Sequence, residues 1–231
     1  MSIWGHAFAA IYDRMLGKTE RAGLGEHRRA LLAAATGDVL EIGGGTGANL
    51  EYYGDTVRSL TLVEPEKPML KRLERHVEQR APKAKVLRAP AEDLPFNDAS
   101  FDVVVSTLVL CTVDDVPRAL RELRRVLRPR GKLLFIEHVR SDDEKLARTQ
   151  DRMLPINVRI GHGCHPNRRT LDSIRDAGFE IASLERDTLK HTPKFIRPLI
   201  VGVATRQPGD PDRQAGTSET SSERLETPTF S

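Results

Sequence analysis

The chain has 231 residues, of which 39% are hydrophobic and 30% charged, so it is long enough to bury one substantial core without disulfides or metals. Its two cysteines exclude a disulfide scaffold, and its net charge of +3 is too small to indicate nucleic-acid binding. No stretch approaches the roughly 18 to 20 apolar residues that span a bilayer, so we expect a cytoplasmic protein without an integral membrane segment.

The two ends of the chain flank the predicted globular part. Residues 1–36 carry apolar side chains at approximately helical spacing, so we expect an N-terminal helical cap over a pocket or against the core. From residue 207 onward glycine, proline, serine, threonine and glutamate dominate, and too few apolar side chains remain to be buried. Residues 207–231 are therefore predicted to be a disordered tail.

Between these ends, in residues 37–206, short apolar runs alternate with helical patterns. The predicted strands are 39–42, 59–63, 85–87, 101–106, 132–136, 179–184 and 199–204. The helical patterns begin at Gly47, Pro68, Asp115 and Thr170. Strands separated by helices predict parallel βαβ units, and hence an α/β doubly wound sheet with helices on both faces. Charges, prolines and glycines interrupt the alternation over 138–168, which we expect to be a substrate-side insertion.

A glycine-rich turn joins the first predicted strand to the segment that follows. Gly43, Gly44, Gly45 and Gly47 let the backbone turn sharply and approach a ligand without a Cβ in the way. Dinucleotide-binding proteins need the same turn, so the glycines alone do not select the ligand. Glu41, two residues before the first glycine, would oppose a pyrophosphate but suits the ammonium group of S-adenosylmethionine. We therefore predict S-adenosylmethionine as the cofactor.

Later strand ends add candidate positions at the same edge of the sheet. Glu64, followed by Pro65, ends the second strand and is placed to accept hydrogen bonds from ribose hydroxyls. Ala91 and Glu92 follow the third strand and are expected to form a wall for the adenine ring. Thr107, at the end of the fourth strand, is predicted to offer its backbone to the cofactor's amino group. In series, these positions support a nucleoside site.

Four motifs resemble the class I S-adenosylmethionine-dependent methyltransferases, over a region from Val39 to about Thr205. They are V-L-E-I-G-G-G-T-G at 39–47, L-V-E-P at 62–65, A-E-D-L-P-F at 91–96 and V-L-R-P-R-G-K-L at 126–133. The resemblance implies a Rossmann-like, mostly parallel sheet of seven strands with order 3-2-1-4-5-7-6 and an antiparallel seventh strand. That family often has an aspartate at the position of Pro90, so the adenine amino group is expected to rely on Glu92 and backbone atoms.

A closer resemblance is to methyltransferase-like proteins that methylate small alkyl thiols. It rests on Thr46-Gly47-Ala48-Asn49 with Tyr53, and on looser matches at Glu137-His138-Val139, Gly163-Cys164 and Arg197-Pro198. The resemblance adds Asn49 to the cofactor-binding residues and implies a small, lipophilic methyl acceptor, best a thiol. The chain differs from those relatives in lacking a membrane-anchoring N-terminal segment, although a peripheral membrane contact stays compatible with it. Quinone and phospholipid methyltransferases share the cofactor motifs and remain alternatives.

Three histidines are candidates for a base that assists a thiol acceptor. A thiol with a pKa of about 8.5 is only partly ionised at neutral pH, so a nearby base would help. His138 directly follows the fifth predicted strand, and we expect it to face the reaction crevice as general base. His162 and His165 are secondary candidates, and each histidine has a structural or exposed role as its alternative. His162, Cys164 and His165 lack the further ligand of a tetrahedral site, so no metal is predicted.

Two functions of other classes stay open. A NAD-dependent oxidoreductase would share the Rossmann turn, although Glu41 argues against it, and a non-catalytic module would keep the cofactor pocket without turnover. The arginines between 118 and 130 share a helix with apolar residues, so we interpret them as a solvated helix face. We expect a small-molecule acceptor, no nucleic-acid partner, and a monomer or homodimer.

Overall fold

The fold is built on an open sheet of seven strands, and the computed structural model describes residues 17–207 of the chain. The strands are β1 (Gly37–Ile42), β2 (Val57–Val63), β3 (Lys85–Leu87), β4 (Phe101–Thr107), β5 (Leu127–His138), β6 (Phe179–Thr188) and β7 (Pro198–Arg206). Their order is 3-2-1-4-5-7-6, with β1 to β5 parallel and β7 antiparallel to its neighbours β5 and β6. The predicted α/β class, strand order and reversed last strand are confirmed.

Five α-helices within the described residues cover the sheet. They are α1 (Gly25–Leu32), α2 (Lys67–Arg80), α3 (Val116–Val126), α4 (Glu144–Ile160) and α5 (Thr170–Asp176). A π-helical segment, Glu20–Leu24, leads directly into α1. Asp115 caps the N-terminus of α3 as predicted, because its carboxylate accepts a hydrogen bond from the Arg118 amide.

Two apolar layers hold the helices on opposite faces of the sheet. Leu120 of α3 and Phe135 of β5 belong to one buried cluster, and Leu73 of α2 and Leu134 of β5 belong to the other. Side chains alternate along a strand, so consecutive residues of β5 contribute to both layers. Most of β1, β4 and β5 is therefore buried, whereas the edge strand β6 is largely exposed.

The segment after the glycine-rich turn differs from the prediction of a helix over 47–53. The structure has consecutive turns there, in which the Leu50 amide donates to the Gly47 carbonyl (3.2 Å) and the Tyr52 amide donates to the Asn49 carbonyl (3.0 Å). Residues 48–53 lie between Gly47 and Gly54 and make fewer than two turns of helix, which is too short for a stable helix. Hydrogen bonds from Asn49 and Tyr53 to Glu41 of β1 hold the segment in place instead.

Two other segments are more regular than predicted. β5 begins at Leu127 rather than at Lys132, because Leu127 already pairs with Phe101 before an irregularity in the register. The insertion 138–168 contains α4, which continues through Pro155. Gln150 of α4 joins the insertion to the rest of the domain, because its Nε2 donates to the Phe195 carbonyl (3.1 Å).

The predicted terminal segments lie only partly within the described residues. Residues 17–32 are helical, whereas 1–16 and 208–231 lie outside the described part, and the cap over 1–36 stays a prediction. Between residues 17 and 207, no helix combines the length and apolar character needed to cross a bilayer.

Candidate active site

The glycine-rich turn follows β1 at the carboxyl edge of the sheet. Gly43 and Gly47 have φ angles of +56° and +89°, a backbone region that favours glycine. A Cβ on Gly43 would lie 2.5 Å from Cγ2 of Val109, so the turn passes close against the loop after β4. Gly44 and Gly45 complete the bend, with the Gly45 amide pointing toward the end of β2. The turn thus offers backbone rather than side chains to the space above the strands.

Glu41 lies near the end of β1 with only 2% of its surface exposed. Its Oε1 accepts a hydrogen bond from Asn49 Nδ2 (2.9 Å), and its Oε2 accepts one from the Tyr53 hydroxyl (2.7 Å). Burial raises the pKa of Glu41 to about 7, against the opposing effect of these hydrogen bonds and of Arg28. The carboxyl group is therefore oriented, and a cation placed beside it would favour its ionised form.

Arg28, which the sequence analysis did not single out, is a buried cation that forms an ion pair with Glu20 and is linked to Glu41 through Asn49. It belongs to α1, is 3% exposed, and donates from Nη1 to Asn49 Oδ1 (2.6 Å) and Thr107 Oγ1 (2.9 Å). Its Nε donates to Glu20 Oε1 (2.9 Å). Asn49 Nδ2 also donates to Thr107 Oγ1 (3.0 Å), which closes the network. The N-terminal helix is thereby joined to the ends of β1 and β4 through buried polar groups.

Glu64 immediately follows β2, as predicted. Its Oε2 accepts a hydrogen bond from the Gly45 amide (2.9 Å), and its Oε1 accepts one from the Glu66 amide (2.9 Å). Burial raises the pKa of this carboxyl group. Next to it, the Pro65 carbonyl accepts a hydrogen bond from Arg88 Nε (2.9 Å). The structure therefore brings Glu64 and the glycine-rich turn together, with two amides orienting the carboxylate.

The predicted adenine wall has both apolar and polar parts. Ala91 is buried, and Glu92 Oε1 accepts a hydrogen bond from the Asp114 amide (2.9 Å). Glu92 thus has a contact that fixes the loop before α3, in addition to the role predicted for it. Which atoms would hold an adenine amino group stays a prediction.

Glu137 is a third buried acid, and the sequence analysis left it without a role of its own. Its Oε1 accepts hydrogen bonds from Ser106 Oγ (2.7 Å) and from the amides of Val109 (3.1 Å) and Leu110 (3.0 Å). Its Oε2 accepts one from the Cys111 amide (3.1 Å). Glu137 therefore fixes the loop that follows β4. The signal that marks Glu137 in the sequence is a carboxylate directly after the apolar run 133–136.

His138 is the last residue of β5, as expected, and is 7% exposed. Thr107 pairs with Ile136, and alternation along β5 places His138 on the same face of the sheet as Thr107. Burial lowers the pKa of His138 to about 4, although hydrogen bonds with the backbone of Ile196 and Pro198 act in the opposite direction. Its Nδ1 is buried and has no hydrogen-bond partner among residues 17–207. The imidazole is therefore neutral at neutral pH.

The other two candidate histidines lie between α4 and α5. His162 is exposed on a turn with φ of +52°. His165 is half-buried, its Nδ1 lies 2.6 Å from the Gly163 carbonyl oxygen, and its amide donates to the Cys111 carbonyl (2.7 Å). The structure thus places His165 against the loop after β4, whereas His162 is exposed.

The fold and the site together define the class of the protein. An open sheet with a reversed last strand, a glycine-rich turn after β1, and buried acids at the ends of β1 and β2 form a Rossmann-like domain of the methyltransferase type.

Comparison with known proteins gives the same class. Residues 40–135 match the family described as methyltransferase domain. Thiol S-methyltransferase TMT1B of Homo sapiens is 37% identical over 187 residues, which cover 76% of this chain and 74% of the relative. Thiol S-methyltransferase TMT1A of Homo sapiens is 30% identical over 207 residues, which cover 86% of this chain and 83% of the relative. A solved SAM-dependent methyltransferase from Thermotoga maritima is 25% identical, with a TM-score of 0.66, over 87% of this chain and 98% of that one.

The chain therefore belongs to the S-adenosylmethionine-dependent methyltransferase family. Its methyl donor is S-adenosylmethionine, as predicted from Glu41 and the glycine-rich turn.

Proposed function

We propose that this methyltransferase acts on a small thiol and that the buried pair of Glu41 and Arg28 holds the amino-acid end of the donor. The observation that carries the second part is the pair itself: a carboxylate and a guanidinium, both nearly fully buried and bridged by Asn49. A zwitterion presents an ammonium and a carboxylate, so one charge of each sign matches it. The relatives named as thiol S-methyltransferases support the thiol acceptor.

The other predicted cofactor residues lie at the same edge of the sheet, and their positions suggest their roles. Glu64 would accept hydrogen bonds from the ribose hydroxyls, with Pro65 beside it, and Ala91 and Glu92 would flank the adenine. The Gly43–Gly47 turn would pass beneath the donor, and its glycines let the backbone pack closely against Val109, Leu73 and Leu50. Asn49 and Thr107 would keep the Glu41 and Arg28 side chains oriented through the hydrogen bonds that they already make.

The bound donor supplies a methyl group on a sulfonium, and the protein's part is to position an acceptor in line with it. A near-attack geometry lowers the barrier without covalent participation by the protein. A thiolate and a sulfonium lose their charges as they react, so a site that excludes water favours the transition state. The N-terminal cap and the insertion 138–168 are the segments we propose for excluding water.

His138 is the proposed partner of the acceptor thiol. Its position on the Thr107 face and its buried Nδ1 without a partner among the described residues support this role. A pKa of about 4 makes the ring a weak base, so we propose that Nδ1 orients the S–H group by accepting its hydrogen bond. His165 and His162 remain the alternatives, in that order, because only His165 packs against the loop after β4.

The proposal is tested by incubating the full chain with labelled S-adenosylmethionine and a panel of acceptors. Alkyl and aryl thiols are expected to yield labelled thioethers, whereas quinones and phosphatidylethanolamine are expected to stay unlabelled. Labelling only of a quinone or a phospholipid would overturn the thiol assignment and leave methyl transfer intact. We also propose that the protein is cytoplasmic and does not act on nucleic acid, which fits its small net charge.

A further inference from the structure

Two thiols that the proposed reaction does not use are in contact inside the protein. Cys111 lies in the loop after β4 and is fully buried, and Cys164 lies between α4 and α5 and is 9% exposed. Their Sγ atoms are 3.8 Å apart, although the residues are 53 positions apart in the sequence. Both are free thiols in this structure. The two loops that carry them thus meet at a pair of sulfur atoms.

Hydrogen bonds hold both sides of this contact. The Cys111 amide donates to Glu137, and its carbonyl accepts the His165 amide (2.7 Å), so the loop after β4 is fixed from two directions. On the other side, the Cys164 amide donates to the Gly161 carbonyl (3.1 Å), and the Cys164 carbonyl accepts a hydrogen bond from Asn157 Nδ2 (2.7 Å). The backbone on each side therefore keeps the two sulfur atoms in contact.

We propose that Cys111 and Cys164 form a reversible disulfide when the protein meets a hydroperoxide, and that this bond slows methyl transfer to the acceptor. The first half of the proposal stands on the contact between the two sulfur atoms. The second half rests on the proposed function, because it concerns turnover of a thiol acceptor.

The chemistry balances with a hydroperoxide as the oxidant. The Cys164 thiolate attacks the peroxide oxygen, an S–O bond forms, the O–O bond breaks, and water or an alcohol leaves after protonation. The Cys111 sulfur then attacks the Cys164 sulfenic acid, the S–S bond forms, and the S–O oxygen leaves as water with the Cys111 proton. The two thiols lose two electrons and the peroxide gains them. The hydrogen-bonding contact with Cys111 lowers the pKa of Cys164, which supports Cys164 as the attacking sulfur.

The bond would draw one loop onto the other. A disulfide needs an Sγ–Sγ distance of about 2.05 Å, so the sulfur atoms must approach from their present 3.8 Å. The segment 161–168 would move with Cys164, and this segment is already linked to the loop after β4 by Arg168 Nη1, which donates to the Leu110 carbonyl (2.7 Å). Access to the carboxyl edge near β4 and β5 would narrow. The ends of β1 and β2 lie outside this movement, so donor affinity is expected to persist.

The test treats the full chain with hydrogen peroxide, removes the oxidant with catalase, and maps disulfides by mass spectrometry of unreduced peptides. We expect a Cys111–Cys164 cross-linked peptide in the natural sequence and none in Cys164→Ser. Initial turnover should fall on the order of tenfold after oxidation and recover with a phosphine reductant, which is not itself a thiol acceptor. Affinity for S-adenosylhomocysteine, measured by calorimetry, should change less than about twofold.

Several outcomes would overturn the proposal. Absence of the cross-linked peptide would contradict the proposed disulfide. A cross-link without loss of turnover would contradict the proposed effect of the disulfide on methyl transfer. An equal loss in oxidised Cys164→Ser would assign inactivation to another residue, and Cys111→Ser, checked for a native melting temperature, repeats this control. A cross-link in a protein that methylates no thiol at all would instead contradict the proposed acceptor, because the disulfide is detected without an activity assay.

Discussion

At the residue scale, the site depends on charges that are buried in pairs. Arg28 forms an ion pair with Glu20 (2.9 Å), and Glu41 and Arg28, on different elements, would each be costly to bury without partners. Asn49 and Thr107 bridge them, so the cost is offset by hydrogen bonds whose geometry is fixed. Such a preorganised pair can bind a zwitterion with little rearrangement, which gives Arg28 a testable function.

Replacing Arg28 with alanine is expected to weaken S-adenosylmethionine binding by roughly 10- to 100-fold, because a charge-assisted contact is lost. Arg28→Lys keeps the charge but lacks the planar guanidinium with its several N–H donors, so we expect an intermediate loss of affinity. Calorimetry measures the affinity, and thermal melting checks that both variants fold. Unchanged affinity in a folded Arg28→Ala protein would remove Arg28 from the donor site.

The affinity for S-adenosylmethionine is expected to depend on the protonation of Glu41. Burial raises the pKa of Glu41 to about 7, so the carboxyl group is mostly neutral below this pH and mostly ionised above it. The ammonium group binds the ionised form, so affinity should rise with pH and then level off above about 7. Below that pH it should fall by up to about tenfold per pH unit. Calorimetry over this range checks the slope, and a Glu41→Gln variant should bind weakly with a flat profile.

His138→Ala is expected to lower turnover by roughly 10- to 100-fold while donor affinity stays the same. The deficit should shrink at pH values above the pKa of the acceptor thiol, because a thiolate has no S–H group for Nδ1 of His138 to orient. Steady-state kinetics across pH measures both effects. His191→Ala, which changes an exposed side chain that has no proposed role, is the matched control, and an equal deficit in both variants would contradict the role of His138.

At the element scale, the loop after β4 owes its shape to β5. The Glu137 carboxylate accepts a hydrogen bond from the Ser106 hydroxyl and bonds from three consecutive amides, and burial raises its pKa. The same loop packs against Gly43 and carries Cys111. One side chain on β5 therefore shapes a loop that touches both the cofactor turn and the acceptor side.

Glu137→Gln is expected to lower the free energy of unfolding by about 2 to 3 kcal/mol, because an amide group replaces one carboxylate oxygen with a donor facing backbone amides. Chemical denaturation measures the change. Glu144→Gln is the matched control, since Glu144 forms an exposed ion pair with Arg148 (2.9 Å) and should cost less than about 0.5 kcal/mol. A loss no larger than the control's would show that Glu137 is not needed to hold the loop.

At the scale of the whole molecule, the sheet places strand ends from distant parts of the sequence at one edge. β1, β2, β4 and β5 all run parallel, so their carboxyl ends open to the same side. The helix α1 closes this edge through Arg28, and His27 of the same helix pairs with Asp187 of β6 (2.6 Å). Donor binding should therefore stabilise the fold as a unit.

S-adenosylhomocysteine is expected to raise the free energy of unfolding by about 2.7 kcal/mol at a concentration of 100 times its dissociation constant. Differential scanning fluorimetry should show a higher melting temperature with this ligand and no change with NAD at the same concentration. Stabilisation by NAD alone would contradict the match between the buried charge pair and a zwitterion that lacks phosphate.

The sequence by itself determined the class of fold and the identity of the methyl donor. The alternation of apolar runs and helical patterns is local, so β1 to β5, α2 and α3 follow from it, and the motifs supplied the strand order. The carboxylates at Glu41 and Glu64 stood out because they end apolar strands beside glycines, where elementary electrostatics distinguishes an ammonium from a pyrophosphate.

Only the tertiary structure decided the contacts that join distant segments. Arg28 and Thr107 are 79 positions apart, Ser106 and Glu137 are 31 apart, and the two cysteines are 53 apart. In the sequence, Arg28 looks like one more charge on an amphipathic helix. Its burial depends on where α1 packs, and local periodicity does not contain that information, because packing is set by surfaces that meet only after the chain has folded.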